Sequence, residues 1–116
     1  MFSKQYTFNK VVRHLRQQGC RARTNVGCAY RGDNSTKCAA GCLIPDELYT
    51  SKMEGNGICH TSTNEQAMKL WNFFRWLGHD PKLVKQLQTI HDMHRIAEWE
   101  FSFECLALEH GLKVPE

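Results

Sequence analysis

The stretch Val26-Gly27-Cys28-Ala29-Tyr30-Arg31-Gly32-Asp33-Asn34-Ser35-Thr36-Lys37-Cys38-Ala39-Ala40-Gly41-Cys42-Leu43-Ile44-Pro45 decides whether this chain is all-helical or mixed. Val26–Tyr30 and Lys37–Ile44 read as two strands, and Gly32-Asp33-Asn34-Ser35 between them is turn chemistry. Small residues dominate both strands, so another backbone or a ligand is expected to approach closely there. Pro45, followed by Asp46 and Glu47, suits the first turn of a short helix. Gly55-Asn56-Gly57 reads as a loop.

Around this hairpin the pattern is helical. Phe8, Val11, Val12 and Leu15 fall at i, i+3, i+4, i+7, which predicts a helix over 6–18 ended by Gly19. Ser62-Thr63-Asn64-Glu65 matches a capping box, with Thr63 and Gln66 as the shifted alternative, and opens a helix over 63–78. Its core stripe is Ala67, Leu70, Trp71, Phe74 and Leu77, widened by Phe73, while Trp76 falls on the polar side. Asp80-Pro81 restarts a helix as N-cap and N1, with Leu83, Val84, Leu87 and Ile90 as its stripe. The last helix, 95–110, has two apolar rows. Ile96, Trp99, Phe103, Leu106 and Ala107 form one; Ala97, Phe101, Cys105 and Leu108 form the other. A helix apolar on two sides is expected to lie sandwiched in its own domain, or else to offer one row to a second subunit or target. The expected fold is α+β: one domain, 1–116, of four to five helices with a small β-hairpin inserted after the first helix.

The net charge of +3 conceals an asymmetry. Residues 1–37 hold eight lysines and arginines against Asp33 alone, and the remainder holds seven against eleven acids. A basic first third can meet nucleic acid, an anionic ligand or an acidic protein face, or the chain's own acidic last helix. No apolar run approaches membrane-spanning length, and Met1-Phe2-Ser3-Lys4-Gln5-Tyr6 lacks the apolar core of a signal peptide. A cytoplasmic location is expected, and with it reduced thiols or metal ligands for the six cysteines rather than disulfides.

Several chemistries compete for the hairpin. Zinc takes four tetrahedral thiolate or imidazole ligands, which Cys28, Cys38, Cys42 and Cys59 or His60 could supply. A regular strand sets residues 38 and 42 about 13 Å apart, so zinc requires a turn at Ala39-Ala40-Gly41; otherwise these are small buried thiols. A cysteine nucleophile needs a histidine base in reach, and no familiar sequence context surrounds any such pair. An anion pocket could be built from Tyr30, Arg31 and Lys37 with Asp46, Tyr49 and Glu54, unless Arg31 and Lys37 simply pair with Asp46 or Glu54. Nucleic acid has only the basic first third with Tyr6, Phe8 and Tyr30 in its favour, and no recognisable module. His91-Asp92 could be a base and its orienting carboxylate, though a helix-end role fits neighbouring residues better.

The words Cys-x-Tyr-Arg-Gly, Lys-Cys-Ala-x-Gly-Cys-Leu-Ile-Pro-Asp-Glu-x-Tyr and Met-Glu-Gly, at Cys28–Gly32, Lys37–Tyr49 and Met53–Gly55, resemble a family of small, mostly uncharacterised phage and prophage proteins. Leu87–Asp92, Trp99, Leu106-Ala107, His110-Gly111-Leu112, the opening helix and Gln18-Gly19 extend that resemblance over most of the chain. It carries over no catalytic residue. It implies an accessory protein that disables a host or antiviral-defence factor, in the manner of anti-CRISPR inhibitors, or one that captures a signalling nucleotide. The expected role is therefore a non-enzymatic inhibitor without cofactor, anchored on Trp76, Phe101, Arg31 and Tyr30, with homodimerisation as an option. A nucleotide-binding protein or enzyme using the hairpin, and a zinc-stabilised nucleic-acid-binding module, stand as alternatives.

Overall fold

Asp80 caps the helix that organises the rest. Its carboxylate accepts from the amides of Lys82 and Leu83, and Pro81 sits at the first helical position. This helix, α3 (Pro81–Met93), packs against each of the other three long helices: α1 (Lys4–Gln18), α2 (Glu65–Leu77) and α4 (Trp99–His110). The computed structural model describes residues 1–61 and 63–116. Within it, α1 is capped by Ser3 Oγ on the Tyr6 amide and closed by Gly19 at φ 69°. α2 is capped by Asn64, whose side chain accepts from Gln66 and Ala67. The capping box read from Ser62 lies outside the described residues at its first position.

The core joins Phe8, Val11, Val12 and Leu15 of α1 to Phe74 of α2, Leu83, Val84 and Leu87 of α3, and Phe103 of α4. Phe8 meets Phe103 edge to face at 6.5 Å. Tyr30, Cys38, Ala39, Ala40, Leu43 and Ile44 join the same cluster, so the loop-rich middle is part of the core rather than an appendage.

The mixed class is as the sequence predicts, but the strands fall elsewhere. β1 (Arg23–Thr24) pairs antiparallel with β2 (Gly27–Cys28) around Asn25-Val26. The predicted turn exists, with Gly32 bonded to Thr36, and an isolated bridge joins Arg31 and Lys37 beside it. Beyond Lys37 the chain does not extend. The Cys42 amide bonds to the Cys38 carbonyl, and Gly41–Leu43 is a 3-10 turn. Three consecutive small residues, Ala39-Ala40-Gly41, offer a strand no side chains to pair, whereas a tight turn lets all three enter the core. Asp46–Leu48 forms the short helix expected after Pro45, as a single 3-10 turn.

A second correction concerns the last helix. α4 is not sandwiched; α3 is the central element. α4 buries Trp99, Ser102, Phe103, Leu106 and Ala107, while Phe101 is 69% and Leu108 83% exposed.

His79 supplies a pH dependence. Its ring is buried, shares a hydrogen bond of 2.7 Å with the Thr7 hydroxyl, and lies against Phe2. Burial, with Lys10 adding to it, lowers its pKa to about 4. The unfolded chain takes up this proton near pH 6.5 and the native state only near pH 4. Stability conferred by the neutral ring is therefore complete above pH 6.5 and drains away as pH falls through that window, by about 2–3 kcal/mol at its foot. Urea midpoints at pH 7 and pH 4.5 will show this, and His79→Gln will flatten the difference.

Candidate functional site

The words Cys-x-Tyr-Arg-Gly and Met-Glu-Gly meet at one carboxylate. Glu54 Oε1 accepts from the Tyr30 amide at 2.9 Å; Oε2 accepts from the Arg31 amide at 3.1 Å and from the Tyr49 hydroxyl at 2.6 Å. The Tyr30 hydroxyl in turn donates to the Asn56 carbonyl at 2.6 Å. Arg31 reaches the other way. One terminal nitrogen donates to Asp46 and the other to the Ile44 carbonyl, each at 2.7 Å, and its guanidinium lies 4.8 Å over the Tyr49 ring. Lys37 Nζ comes within 3.6 Å of the same Asp46 oxygen.

Arg31, with Lys37 beside it, holds the Asp46 carboxyl below the usual carboxylate range. Burial, and then the bond to Glu54, pushes the Tyr49 phenol up to about 12; burial raises Tyr30 as well. Six of the predicted site residues therefore do come together and bond largely to one another and to nearby backbone, while Arg31 Nε is buried without a partner among the described residues. This is the alternative in which Arg31 and Lys37 pair with Asp46, and the group forms a clamp that holds residues 30–56 in shape. Removing its centre has a definite effect. Glu54→Ala leaves the Tyr30 and Arg31 amides without an acceptor and is expected to lose about 2–4 kcal/mol. Glu54→Gln, which keeps an acceptor oxygen, will lose clearly less; chemical denaturation compares them.

The basic first third is largely consumed in the same manner. Arg16 forks onto Glu100 at 2.9 and 2.6 Å and also donates to the Pro115 carbonyl. Arg21 caps the C-terminal end of α3 through the carbonyls of His91 and His94, where the helix dipole favours a cation. Lys4 lies 3.7 Å from Asp80. Among the described residues only Lys10, Arg13 and Arg23 of this third lack an ion pair or a side-chain hydrogen bond. Arg16 alone of these cations pairs with an acid of the last helix among the described residues; the other ion pairs go to Asp46 and Asp80.

The cysteines predicted as zinc ligands do not converge. The required turn at Ala39-Ala40-Gly41 is present, yet Cys38 Sγ accepts from the Gly41 amide and Cys42 Sγ donates to the Ala39 carbonyl. Burial raises both thiols, Cys42 to about 12, so they remain protonated at neutral pH. His60 stacks on Trp71, with ring centroids 4.3 Å apart. Among the described residues the one group with metal-ligand proximity is Cys28, His91 and Asp92. Its histidine does not fit a metal. The Ala22 amide donates to His91 Nε2 at 3.0 Å, so the ring proton sits on Nδ1, where it bonds Asp92 at 2.7 Å. Neither nitrogen has a lone pair to give.

His91 is the residue whose weight the sequence reading missed. Adjacent His and Asp side chains do aim at each other here, and the ring is fully buried against Trp99. The pattern Val84, Leu87, His91 puts the histidine on the buried stripe of α3, and that spacing was the available signal. Gln88 completes the joint, donating to Asp92 and accepting from the Ala40 amide. An open cleft of about 490 Å³ lies over this region, lined by Cys28, Tyr30, Glu54, Lys85, Asp92 and Met93 among others. Glu54, Tyr30 and Asp92 already serve internal bonds.

The remaining predicted anchors are on the surface. Trp76 is 72% exposed on α2, with its indole stacked on Phe73 at 6.2 Å. Phe101 stands on α4 in a row with Ala97, Cys105 and Leu108, all exposed. No helix among the described residues is long and apolar enough to cross a membrane. Comparison with known protein families, curated proteins and solved structures found no match.

Proposed function

We propose that this chain is a non-catalytic, phage-type accessory protein that binds and inhibits a host or antiviral-defence protein in the bacterial cytoplasm. The observation that carries this reading is the apolar row Ala97, Phe101, Cys105, Leu108. Phe101, Cys105 and Leu108 occupy two turns of α4, Ala97 precedes them in the 3-10 turn Ile96–Glu98, and all four are exposed among the described residues. Two large apolar side chains exposed in one row are unneeded for folding, and aromatic anchors of this kind dominate protein interfaces. The inward-turned clamp supports the same reading, because Tyr49 and Glu54 are committed to each other and to the Tyr30 and Arg31 amides. Trp76 is the second anchor.

The test is co-expression with bacterial defence systems, scored by phage plaque counts. Phe101→Ala with Trp76→Ala is expected to abolish inhibition while the melting temperature moves by only about 1–2 °C, since exposed side chains contribute little to stability. Undiminished inhibition by that double variant would remove the reading. A thermal-shift panel of nucleotides at millimolar concentration is expected to leave the melting temperature unmoved.

A further inference from the structure

We infer that the row on α4 docks a cationic amphipathic helix of its protein partner; this rests on the partner-binding reading above and names the chemistry of the partner. The argument is the frame around the row. At about 100° per residue, Phe101, Cys105 and Leu108 of α4 lie within an arc of roughly 60°, and Ala97 precedes them in the 3-10 turn Ile96–Glu98. Glu109 borders the row on one side, Glu100 and Glu104 on the other, and Glu98 stands at the start of the helix. Arg16 bonds Glu100, Arg95 comes within 3.6 Å of Glu98, and Gln86 donates to Glu109. Glu104 is exposed and makes no ion pair among the described residues. The side chains of Glu98, Glu100 and Glu109 are 56%, 58% and 55% exposed. Glu104 on one flank and Glu109 on the other have no lysine or arginine beside them among the described residues, so each flank keeps one uncompensated carboxylate.

That frame discriminates between occupants. A lipid surface is bound by helices with lysine and arginine on the polar face, because headgroups are anionic; this helix has glutamates there. Nucleic acid is repelled by the same carboxylates. A second copy related by a two-fold axis would set glutamate rims against each other. A basic protein helix satisfies both the row and the rim. The row is about 16 Å long, which matches a partner helix presenting apolar residues at i, i+3 or i+4, and i+7 with lysine or arginine beside them.

The probe is a labelled synthetic helix of about five turns with a leucine row flanked by lysines. It is compared with the same peptide flanked by glutamates, and with a lysine peptide whose leucines are scrambled off the row. Fluorescence anisotropy against the intact chain is expected to show saturable binding of the first. The second and third should bind at least about 10-fold more weakly. Phe101→Ser with Leu108→Ser should weaken the first roughly 30-fold or more. Glu98→Lys with Glu104→Lys should weaken it too, and should strengthen the glutamate peptide.

Equal binding of the scrambled peptide, indifference to the α4 variants, or no affinity for the lysine peptide each overturns the inference. So does a dimer in size-exclusion chromatography that Phe101→Ser dissolves, because a second copy then owns the row. The charge variant also separates this inference from the broader reading. Inhibition that survives Glu98→Lys with Glu104→Lys but fails with Phe101→Ala keeps the partner and rejects its cationic character. Inhibition that survives both rejects both.

Discussion

Gly41→Ala is expected to destabilise this protein by about 3–5 kcal/mol, a fall of roughly 15 °C in melting temperature for a chain of this size. A β-carbon at residue 41 would overlap the Tyr30 carbonyl oxygen and crowd its carbon. These are backbone atoms and cannot rotate aside. The Tyr30 carbonyl also accepts from the Cys38 amide at 3.2 Å, so any shift that relieves the overlap breaks this bond. Because Tyr30 is tied to Glu54 and Asn56, the strain passes into the clamp. Gly57→Ala is the control, since nothing lies within 4 Å of its β-carbon position. It should be neutral or slightly stabilising. Paired urea melts decide the matter, and a Gly41→Ala variant as stable as the wild type would show that the turn can yield.

His91→Ala is the other large effect, expected at about 3–5 kcal/mol. It empties a fully buried ring site, strands the Ala22 amide, and takes from the Asp92 carboxylate one of its two donors, the other being Gln88. His91→Phe separates the contributions, because it fills the volume and restores neither bond. A loss of about 2 kcal/mol or more is expected to remain in that variant, and it measures the stranded polar groups. If phenylalanine restored full stability, the histidine would act as filler alone. Amide exchange at Ala22 gives a local readout that a packing role would leave unmoved.

The helices were legible because their signals are local. Gly19, and Asp80 with Pro81, mark ends by cap chemistry that needs no knowledge of the rest of the chain, whereas α1 begins at its Ser3 cap, ahead of the 6–18 expected from its stripe. Trp76 on the outside and the double row of α4 followed from spacing alone. Which row of α4 would be buried did not, since Phe103 and Phe101 are equally apolar and only the position of α3 chooses between them. The segment 37–59 resisted for a different reason. Its conformation is set by side-chain bonds between distant residues, Glu54 to Tyr30 and Gln88 to Ala40, and by close approach of Gly41 to Tyr30. A run of small residues after turn chemistry reads as the second strand of a hairpin, whereas the chain folds into successive 3-10 turns. Of the candidate site, the residues of the clamp were legible together, and the pairing of Arg31 and Lys37 with Asp46 is the internal alternative that the sequence left open beside a ligand pocket. His91 was seen and undervalued.

The side-chain bonding of residues 30–56 has a kinetic corollary. This segment joins the core through Tyr30, Cys38, Ala39, Ala40, Leu43 and Ile44 but is built of short 3-10 turns, and it is expected to open below the free energy of unfolding the long helices. Cys38 is sealed inside that unit and Cys42 is only partly open to solvent, and both thiols are protonated while it stays closed. Each excursion exposes them to solvent as ordinary thiols, a small fraction of which ionise at neutral pH. The rate at which an alkylating reagent consumes Cys38, set against that of the exposed Cys20, therefore clocks the breathing of the clamp in the otherwise native protein, with no probe added to it.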